Sequence, residues 1–212
     1  MKKAQENMTS EQELHTQAPL HEPQSHYVTL PFYDWLQSVS LDLAAAVIHE
    51  ELVPAKLQSR VTQILSTEAR LLDQRAFQTW LSLVADECAY WIPSEQPAPD
   101  PRESITLEFH DRRRLLDRIA RLDTGLAYSQ LPASSTSRQW SCLEIWESPL
   151  RSGDWHARYN FSIAESRNGH NRVLAGWNGF VLREMAGEMR IVVKQINLID
   201  SDRPQGNNSF FL

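Results

Sequence analysis

This chain has few cysteines, no excess of positive charge and no long apolar run, and each shortage excludes a class of protein. Its two cysteines, Cys88 and Cys142, cannot build a disulfide framework, so a reducing compartment, the cytoplasm, is expected. A net charge of −6 offers no basic surface for nucleic acid. No run approaches the roughly 20 apolar residues of a membrane span, and residues 1–17 lack the apolar stretch of a secretory signal. We therefore expect a soluble cytoplasmic protein without membrane or nucleic-acid partners.

The common metal, nucleotide and nucleophile motifs are also missing. A Rieske iron–sulfur cluster needs two cysteines and two histidines in paired motifs, and neither cysteine here is followed by a histidine at the required spacing. His49-Glu50 begins like a zinc-protease motif, but Val53 occupies the position of its second histidine. A glycine-rich phosphate loop, a nucleophile elbow and a dinucleotide fingerprint are likewise absent. The sequence therefore predicts no catalytic, cofactor-binding or metal-binding residue on this chain.

The first quarter of the chain is predicted to lie outside the main domain. Residues 1–30 are rich in polar residues and poor in aliphatic ones, which is typical of a flexible arm; the alternative is an arm that orders against a partner subunit. Residues 31–56 are interpreted as a helical extension, with a helix over 33–53 that is broken near Ser38–Ser40. Its apolar stripe is predicted to comprise Leu41, Ala45, Ile48 and Leu52.

Residues 57–212 are interpreted as one domain that begins with helices. A helix over 55–72 carries an apolar stripe that Glu68 interrupts, and Asp73 is predicted to cap the next helix. The buried face of that next helix is predicted to comprise Phe77, Trp80, Leu81 and Val84. A short strand over 88–92 follows, with its side chains alternating between the two faces.

The stretch 105–125 is predicted to contain a strand, a helix and a stop. Asp111 is a good N-cap, and Gly125 supplies the left-handed residue that ends the helix. The helix is predicted to bury one face, formed by Leu115, Leu116, Ile119 and Leu122. Its arginines are interpreted as a solvated face or a subunit contact; they are Arg112, Arg113, Arg114, Arg118 and Arg121.

The last part of the chain is predicted to be strands alone. Residues 155–163 alternate cleanly between apolar and polar, and further strands are predicted over 172–184 and 189–200. Tight turns are predicted at Asn168-Gly169 and Ala186-Gly187. Bends or bulges are predicted at Gly176 and Gly179, and a further bulge is predicted near Lys194. Helices followed by an antiparallel meander predict an α+β fold, with helices packed on one face of a curved, mostly antiparallel sheet.

A cone formed by such a sheet and its helices can hold an acid–base pocket. The candidates for its lining are Asp86, Tyr90, His110, His156 and Asn160. Under this hypothesis the chain is a stand-alone dehydratase, isomerase or hydrolase; a further hypothesis for such a fold is a free-standing dimer that binds a ligand. The alternative is that these are capping, surface or hydrogen-bonded interior residues without a catalytic role.

Several motifs occur here in the order of a known family. They are Glu68–Asp73, Trp80-Leu81, Asp86–Pro93, Asp117–Gly125, Ala127–Gln130, Pro132–Arg138, Ile196–Asp200 and Ser209–Leu212. On these motifs the chain resembles the small (beta) subunit of bacterial aromatic-ring-hydroxylating dioxygenases, the Rieske non-heme iron oxygenases. Lys194-Gln195 departs from the family pattern, which often has two arginines at this point. The ending Asn197–Asp202 is most similar to members that act on carboxylated aromatics of the benzoate or salicylate type.

The resemblance implies a fold, a partner and a place for the chemistry. The fold implied is the NTF2-like, cystatin-like cone. The partner implied is a large (alpha) oxygenase subunit in an α3β3 hexamer, in which the small subunits also self-associate as a trimer. The Rieske [2Fe–2S] cluster and the mononuclear Fe(II) are then expected on the large subunit, with electrons from NAD(P)H arriving through a reductase. The small subunit is expected to be structural and to influence substrate preference, and its partner contacts are predicted near Arg138 and Asp200.

Overall fold

In the computed structural model, the described residues are 28–47, 49, 52–125, 128–206, 208 and 210–212. The predicted arm over residues 1–30 therefore lies almost wholly outside them. Within these ranges, no helix combines the length and the apolar character needed to cross a membrane.

The first helix, α1, runs from Leu30 to Ala44 without a break. The predicted interruption at Ser38–Ser40 is wrong. The Ser38 hydroxyl donates a hydrogen bond to the Asp34 main-chain oxygen one turn earlier, within the continuous helix. The predicted stripe is also wrong, because Leu41, Ala45 and Leu52 are all exposed; Ile48 lies outside the described residues. The helix starts three residues earlier than expected, with proline in its first turn, and it ends at Ala44 and not at residue 53. Its buried face is formed by Phe32, Leu36, Val39 and Leu43.

Three further helices follow the predicted order. Helix α2 spans Ala55–Asp73, α3 spans Phe77–Leu81 and α4 spans Arg112–Asp123. Asp73 does not cap α3, because its carboxylate is bound instead by Thr136 and Arg138 of the sheet. Asp111 does cap α4, accepting the Arg114 main-chain N–H at 2.8 Å. Gly125, at φ +69°, ends this helix in the left-handed region as predicted.

Six strands form a single sheet in the order β2-β1-β6-β5-β4-β3. Their bounds are β1 Val84–Pro93, β2 Thr106–His110, β3 Ser135–Glu147, β4 Asp154–Arg167, β5 His170–Met185 and β6 Glu188–Leu198. Neighbouring strands are antiparallel except β1 and β6, which run parallel. The predicted α+β layout with a mostly antiparallel sheet is confirmed.

The tight turns of the meander are confirmed, whereas the predicted bulges are displaced. Asn168-Gly169 and Ala186-Gly187 both have positive φ angles, as two-residue hairpin turns require. The register of β5 continues without a shift through Gly176, whose place is explained by the close approach of Asn197. The bulge in β6 falls at Val192, two residues before Lys194, where the pairing with β5 skips one residue.

The sheet is covered on both faces, which we call inner and outer. Helices α2, α3 and α4 cover the inner face, where their apolar side chains pack against those of the curved sheet. Helix α1 covers part of the outer face and packs on β4 and β5, so the prediction that the helices pack on one face is wrong for α1. The alternation predicted for β1 is confirmed, since Tyr90 faces inward and Trp91 outward, and both are buried. The inner face and its helices enclose the cone interior.

Candidate functional site

The five residues of the predicted acid–base pocket do not come together. The Asp86 side chain is 81% exposed, and Asn160 is also on the surface. Tyr90 lies in the inner core, whereas His156 is buried on the outer face against Trp146. His110 alone lies near Tyr90, with ring centres 6.0 Å apart. The structure therefore contradicts this grouping.

A different set of polar groups occupies the cone interior, centred on Glu68 of α2 and Lys194 of β6. The two side chains are 1% and 3% exposed, and Lys194 Nζ donates to Glu68 Oε1 at 2.7 Å. Trp80 Nε1 donates to the same oxygen at 3.1 Å. Burial lowers the pKa of the Lys194 ammonium, and the adjacent Glu68 carboxylate opposes that shift. A charged pair in so apolar a place is stable only while both partners remain.

The chain's own segment Phe210–Leu212 fills the rest of the interior. All three residues are buried, and the Phe211 ring centre lies 4.9 Å from that of Trp80. Lys194 Nζ donates to the Leu212 oxygen at 2.6 Å. The Tyr90 hydroxyl accepts the Leu212 N–H at 2.8 Å and contacts the Leu212 oxygen at 3.1 Å. The segment thus closes the cone from within.

Two arginines of the predicted partner contacts are instead internal anchors for this segment. Arg118 is buried in α4, where it pairs with Glu108 and donates to the Phe210 oxygen at 2.9 Å. Arg138 of β3 pairs with Asp73 and donates to the Phe211 oxygen. The solvated-face interpretation is therefore wrong for Arg118, which is buried, and the predicted burial is wrong for Leu116, which is exposed. Apolar spacing alone does not reveal a buried arginine, because an arginine stem packs like an aliphatic chain.

The space left between these groups is very small. A cavity of about 10 Å³ lies between Glu68, Lys194 and Arg138, with Tyr159 and Asn178 in its wall. That volume holds about one water molecule. Among the described residues, Glu68 Oε2, Asn178 Oδ1 and Arg138 Nε have no hydrogen-bond partner, and all three belong to the cavity lining. Burial raises the pKa of the Tyr159 hydroxyl above its usual range, which makes it a poor proton donor. An aromatic substrate does not fit here.

A second polar cluster lies on the outer face, between α1 and the sheet. Asp42 of α1 accepts hydrogen bonds from His156 Nδ1 at 2.6 Å and from Trp146 Nε1 at 2.9 Å. The His156 ring is fully buried, and burial lowers its pKa while Asp42 opposes the shift. These bonds dock α1 against the sheet, and the cluster has no accessible nucleophile.

Among the described residues, the donor set does not fit an iron–sulfur cluster or a mononuclear iron. Burial raises the pKa of the Cys88 thiol to about 12, so it resists forming the thiolate that binds metal. Cys142 is exposed on β3, away from the buried Cys88. Across the ranges that the structure covers, no three His, Cys, Asp or Glu side chains are placed to hold a metal ion.

Comparison with known proteins identifies the family. The model of the family described as "ring hydroxylating beta subunit" matches residues 67–203. The chain is 32% identical to the 3-phenylpropionate/cinnamic acid dioxygenase subunit beta of Photorhabdus laumondii, over 60% of this chain and 74% of that protein. It is 28% identical to the small oxygenase component of the p-cumate 2,3-dioxygenase system of Pseudomonas putida, over 73% and 87%.

A solved structure has the same fold. The beta subunit of benzoate 1,2-dioxygenase from Burkholderia mallei superposes with a TM-score of 0.60 at 20% identity, covering 76% of this chain and 99% of that one. The predicted NTF2-like cone is thereby confirmed, as is the family resemblance. The chain belongs to the ring-hydroxylating beta-subunit family and is the small, non-catalytic subunit of an aromatic-ring-hydroxylating oxygenase.

Proposed function

We propose that this chain stabilises a large catalytic subunit whose substrate is a carboxylated aromatic of the benzoate or salicylate type. The observation that carries the structural role is the closed cone, since Phe210–Leu212 and the Glu68–Lys194 pair leave only about 10 Å³ of space. A stand-alone dehydratase, isomerase or hydrolase needs an interior open to its substrate. The reaction therefore belongs to the partner, and this chain shapes and supports it.

The substrate class rests on the relatives. Those compared above are named for 3-phenylpropionate or cinnamic acid, for p-cumate and for benzoate, and each of these compounds is an aromatic acid, with its carboxylate either on the ring or on a short side chain. The segment Asn197–Asp202, at the end of the last strand, supports the same class of substrate. The proposal is that the large subunit binds such an acid and that this chain tunes the preference through its contacts with that subunit.

The proposed assembly is the α3β3 hexamer, with three copies of this chain also contacting one another, in the cytoplasm. The Rieske cluster and the Fe(II) belong to the large subunit, and NAD(P)H supplies electrons through a reductase. Residues 57–212 are the proposed assembly domain, and 31–56 are the extension that includes most of α1 on the outer face. Arg138 is used internally, so the proposed contact moves to the other predicted position, near Asp200. Ile199 there is 77% exposed, and a large apolar side chain at the surface suits a subunit contact.

Co-expression with the large subunit tests this function. We expect the two chains to co-purify in equal amounts, with iron and sulfide in the complex and none in this chain alone. The complex, supplied with its reductase and NAD(P)H, should hydroxylate benzoate or salicylate faster than unsubstituted benzene. Turnover by the isolated chain, or its failure to assemble, contradicts the proposal.

A matched pair of surface variants locates the contact. Ile199→Asp should weaken co-purification, because it places a charge in an apolar interface. Leu150→Asp, a change of an apolar residue to the same charge at a position 42% exposed, in the turn between β3 and β4 at the opposite end of the sheet, should leave co-purification unchanged. If the two variants co-purify with the large subunit to the same extent, the proposed contact does not lie at Ile199. Both chains should be compared by size-exclusion chromatography, with circular dichroism as the control for folding.

A further inference from the structure

The small cavity of the cone interior is bordered by side chains with polar atoms that have no hydrogen-bond partner among the described residues. These atoms are Oε2 of Glu68, Oδ1 of Asn178 and Nε of Arg138. All three side chains are more than nine-tenths buried. Buried polar atoms in folded proteins are almost always paired. Three such atoms on side chains that line one cavity therefore indicate a partner that they share.

The other polar atoms of these three side chains hold them in place. Two donors already bind Oε1 of Glu68. The terminal nitrogens of Arg138 are bound to Asp73 and to main-chain oxygen. The Asn178 Nδ2 donates to the Tyr159 hydroxyl at 3.2 Å. The side chains are thus fixed, and the partner that their free atoms share comes from outside this set.

The hydrogen-bonding groups around the cavity match those of one water molecule. Glu68 and Asn178 each offer an acceptor, and the Arg138 Nε–H offers a donor. The Tyr159 hydroxyl also lines the cavity; it accepts from Asn178, and its own proton is left to donate. Two acceptors and two donors match the four bonds that a water molecule can make, and a volume of about 10 Å³ matches its size.

The charges around the cavity argue against an ion in the same place. Glu68 is paired with Lys194 and Asp73 with Arg138, so the four charges cancel. An anion would face the carboxylate of Glu68 and the carbonyl oxygen of Asn178, and a cation would face the guanidinium of Arg138. A neutral occupant avoids both repulsions and leaves each ion pair intact.

We propose that the cavity is a binding site for a single water molecule, which joins the buried pair Glu68–Lys194 to the pair Asp73–Arg138. The water connects helix α2 with the strands β3, β4 and β5, on which its other partners lie. The site is a property of this chain alone, and its existence does not depend on the assembly with a large subunit.

A crystal structure of the full chain, from crystals soaked in sodium bromide, tests the proposal. We expect one peak of electron density in the cavity, about 2.5–3.2 Å from Glu68 Oε2, Asn178 Oδ1 and Arg138 Nε, with no anomalous signal from bromide. An anomalous signal at this position overturns the proposal, because the occupant is then an anion. Direct pairing of Glu68 Oε2 with Arg138 Nε, with no density between them, also overturns it.

A matched pair of variants measures the same water in solution. Asn178→Gln extends the amide by one methylene into the cavity and should displace the water. Asn160→Gln is the same change at an exposed position of the neighbouring strand β4. Oxygen-17 relaxation dispersion counts the water molecules that exchange slowly with the solvent.

We expect this count to fall by about one per chain in Asn178→Gln, because the cavity holds about one water molecule. In Asn160→Gln the count should equal that of the wild type. Equal counts in the two variants overturn the proposal. If Asn178→Gln does not fold, the wild-type crystal structure decides alone.

Discussion

Replacing Lys194 by methionine removes one half of the buried charge pair while keeping the volume and the apolar stem. The variant leaves Glu68, 1% exposed, with the Trp80 N–H as its remaining donor among the described residues. It also removes the donor to the Leu212 oxygen. Both effects destabilise the folded state, because a buried carboxylate and a buried main-chain oxygen each lose a partner.

The size of the effect follows from the burial of the pair. Breaking a buried ion pair by removing one partner costs about 3–5 kcal/mol. For a domain of this size each kcal/mol shifts the melting temperature by roughly 2–4 °C, so Lys194→Met should melt roughly 6–20 °C below the wild type. Lys56→Met is the matched control, since Lys56 is exposed in the first turn of α2. It should change the free energy of unfolding by less than about 0.5 kcal/mol.

A double-mutant cycle separates the pair from the rest of the site. Glu68→Gln keeps an oxygen for the Trp80 N–H but removes the charge, so Lys194→Met should cost less in that background than in the wild type. The assay is urea unfolding at pH 7, followed by circular dichroism. The expected coupling is between about 0.5 and 3 kcal/mol. A cost for Lys194→Met no larger than that for Lys56→Met, or costs that simply add, refutes the reasoning.

Three further substitutions test other parts of the structure. In urea unfolding, acid should destabilise the wild type more than the variant His156→Gln, because burial lowers the pKa of His156. The stability that the neutral His156 ring contributes is complete above about pH 6.5, and it is lost as the pH falls toward the lowered pKa. Arg118→Met should cost about 3–5 kcal/mol in the same assay, and Arg121→Met on the exposed side of α4 less than about 0.5. Gly176→Ala should cost about 3 kcal/mol in thermal unfolding, since its Cβ would lie 2.0 Å from the Asn197 oxygen.

Each of these has its own control and its own contradicting result. His170→Gln, at an exposed position, should leave the acid response as in the wild type; an equal change in His156→Gln contradicts the role of burial. If Arg118→Met and Arg121→Met lower the free energy of unfolding equally, the buried role of Arg118 is contradicted. Gly187→Ala meets open space and only the strain of φ +82°, about 1–2 kcal/mol. A cost for Gly176→Ala no larger than this contradicts the close approach.

Local patterns predicted most of the fold. Asp111, Asn168-Gly169 and the alternation around Tyr90 depend on near neighbours in sequence, and each prediction is confirmed. The prediction of a break in α1 is wrong because a serine in a helix can donate its hydroxyl hydrogen bond to a main-chain oxygen of the preceding turn, as Ser38 does. The parallel pairing of β1 with β6 had no local signal, since no tight turn joins them.

The polar site in the cone interior was not predicted, because its contacts join residues that are far apart in sequence. In the sequence, Glu68 is a polar residue in an apolar stripe and the first residue of a family motif, and Lys194 is a departure from the family pattern near a predicted bulge; none of these features pairs the two residues. Their contact joins residues far apart in sequence, and pairs of that kind leave no periodic trace. Conversely, Asp86 and His156 were grouped by residue type alone, and the sheet carries them to different environments.

The parallel contact between β1 and β6 also governs the order in which the chain can fold. Strand β1 can pair with β6 only after roughly a hundred further residues have left the ribosome, and such long-range pairing is slow. Until then the edge of β1 that later pairs with β6 is open, and open edges of this kind attract other chains. Helices α1 to α3 emerge first, and the sheet they cover is completed last. Recombinant production should therefore depend strongly on growth temperature and on chaperones that shield the nascent chain.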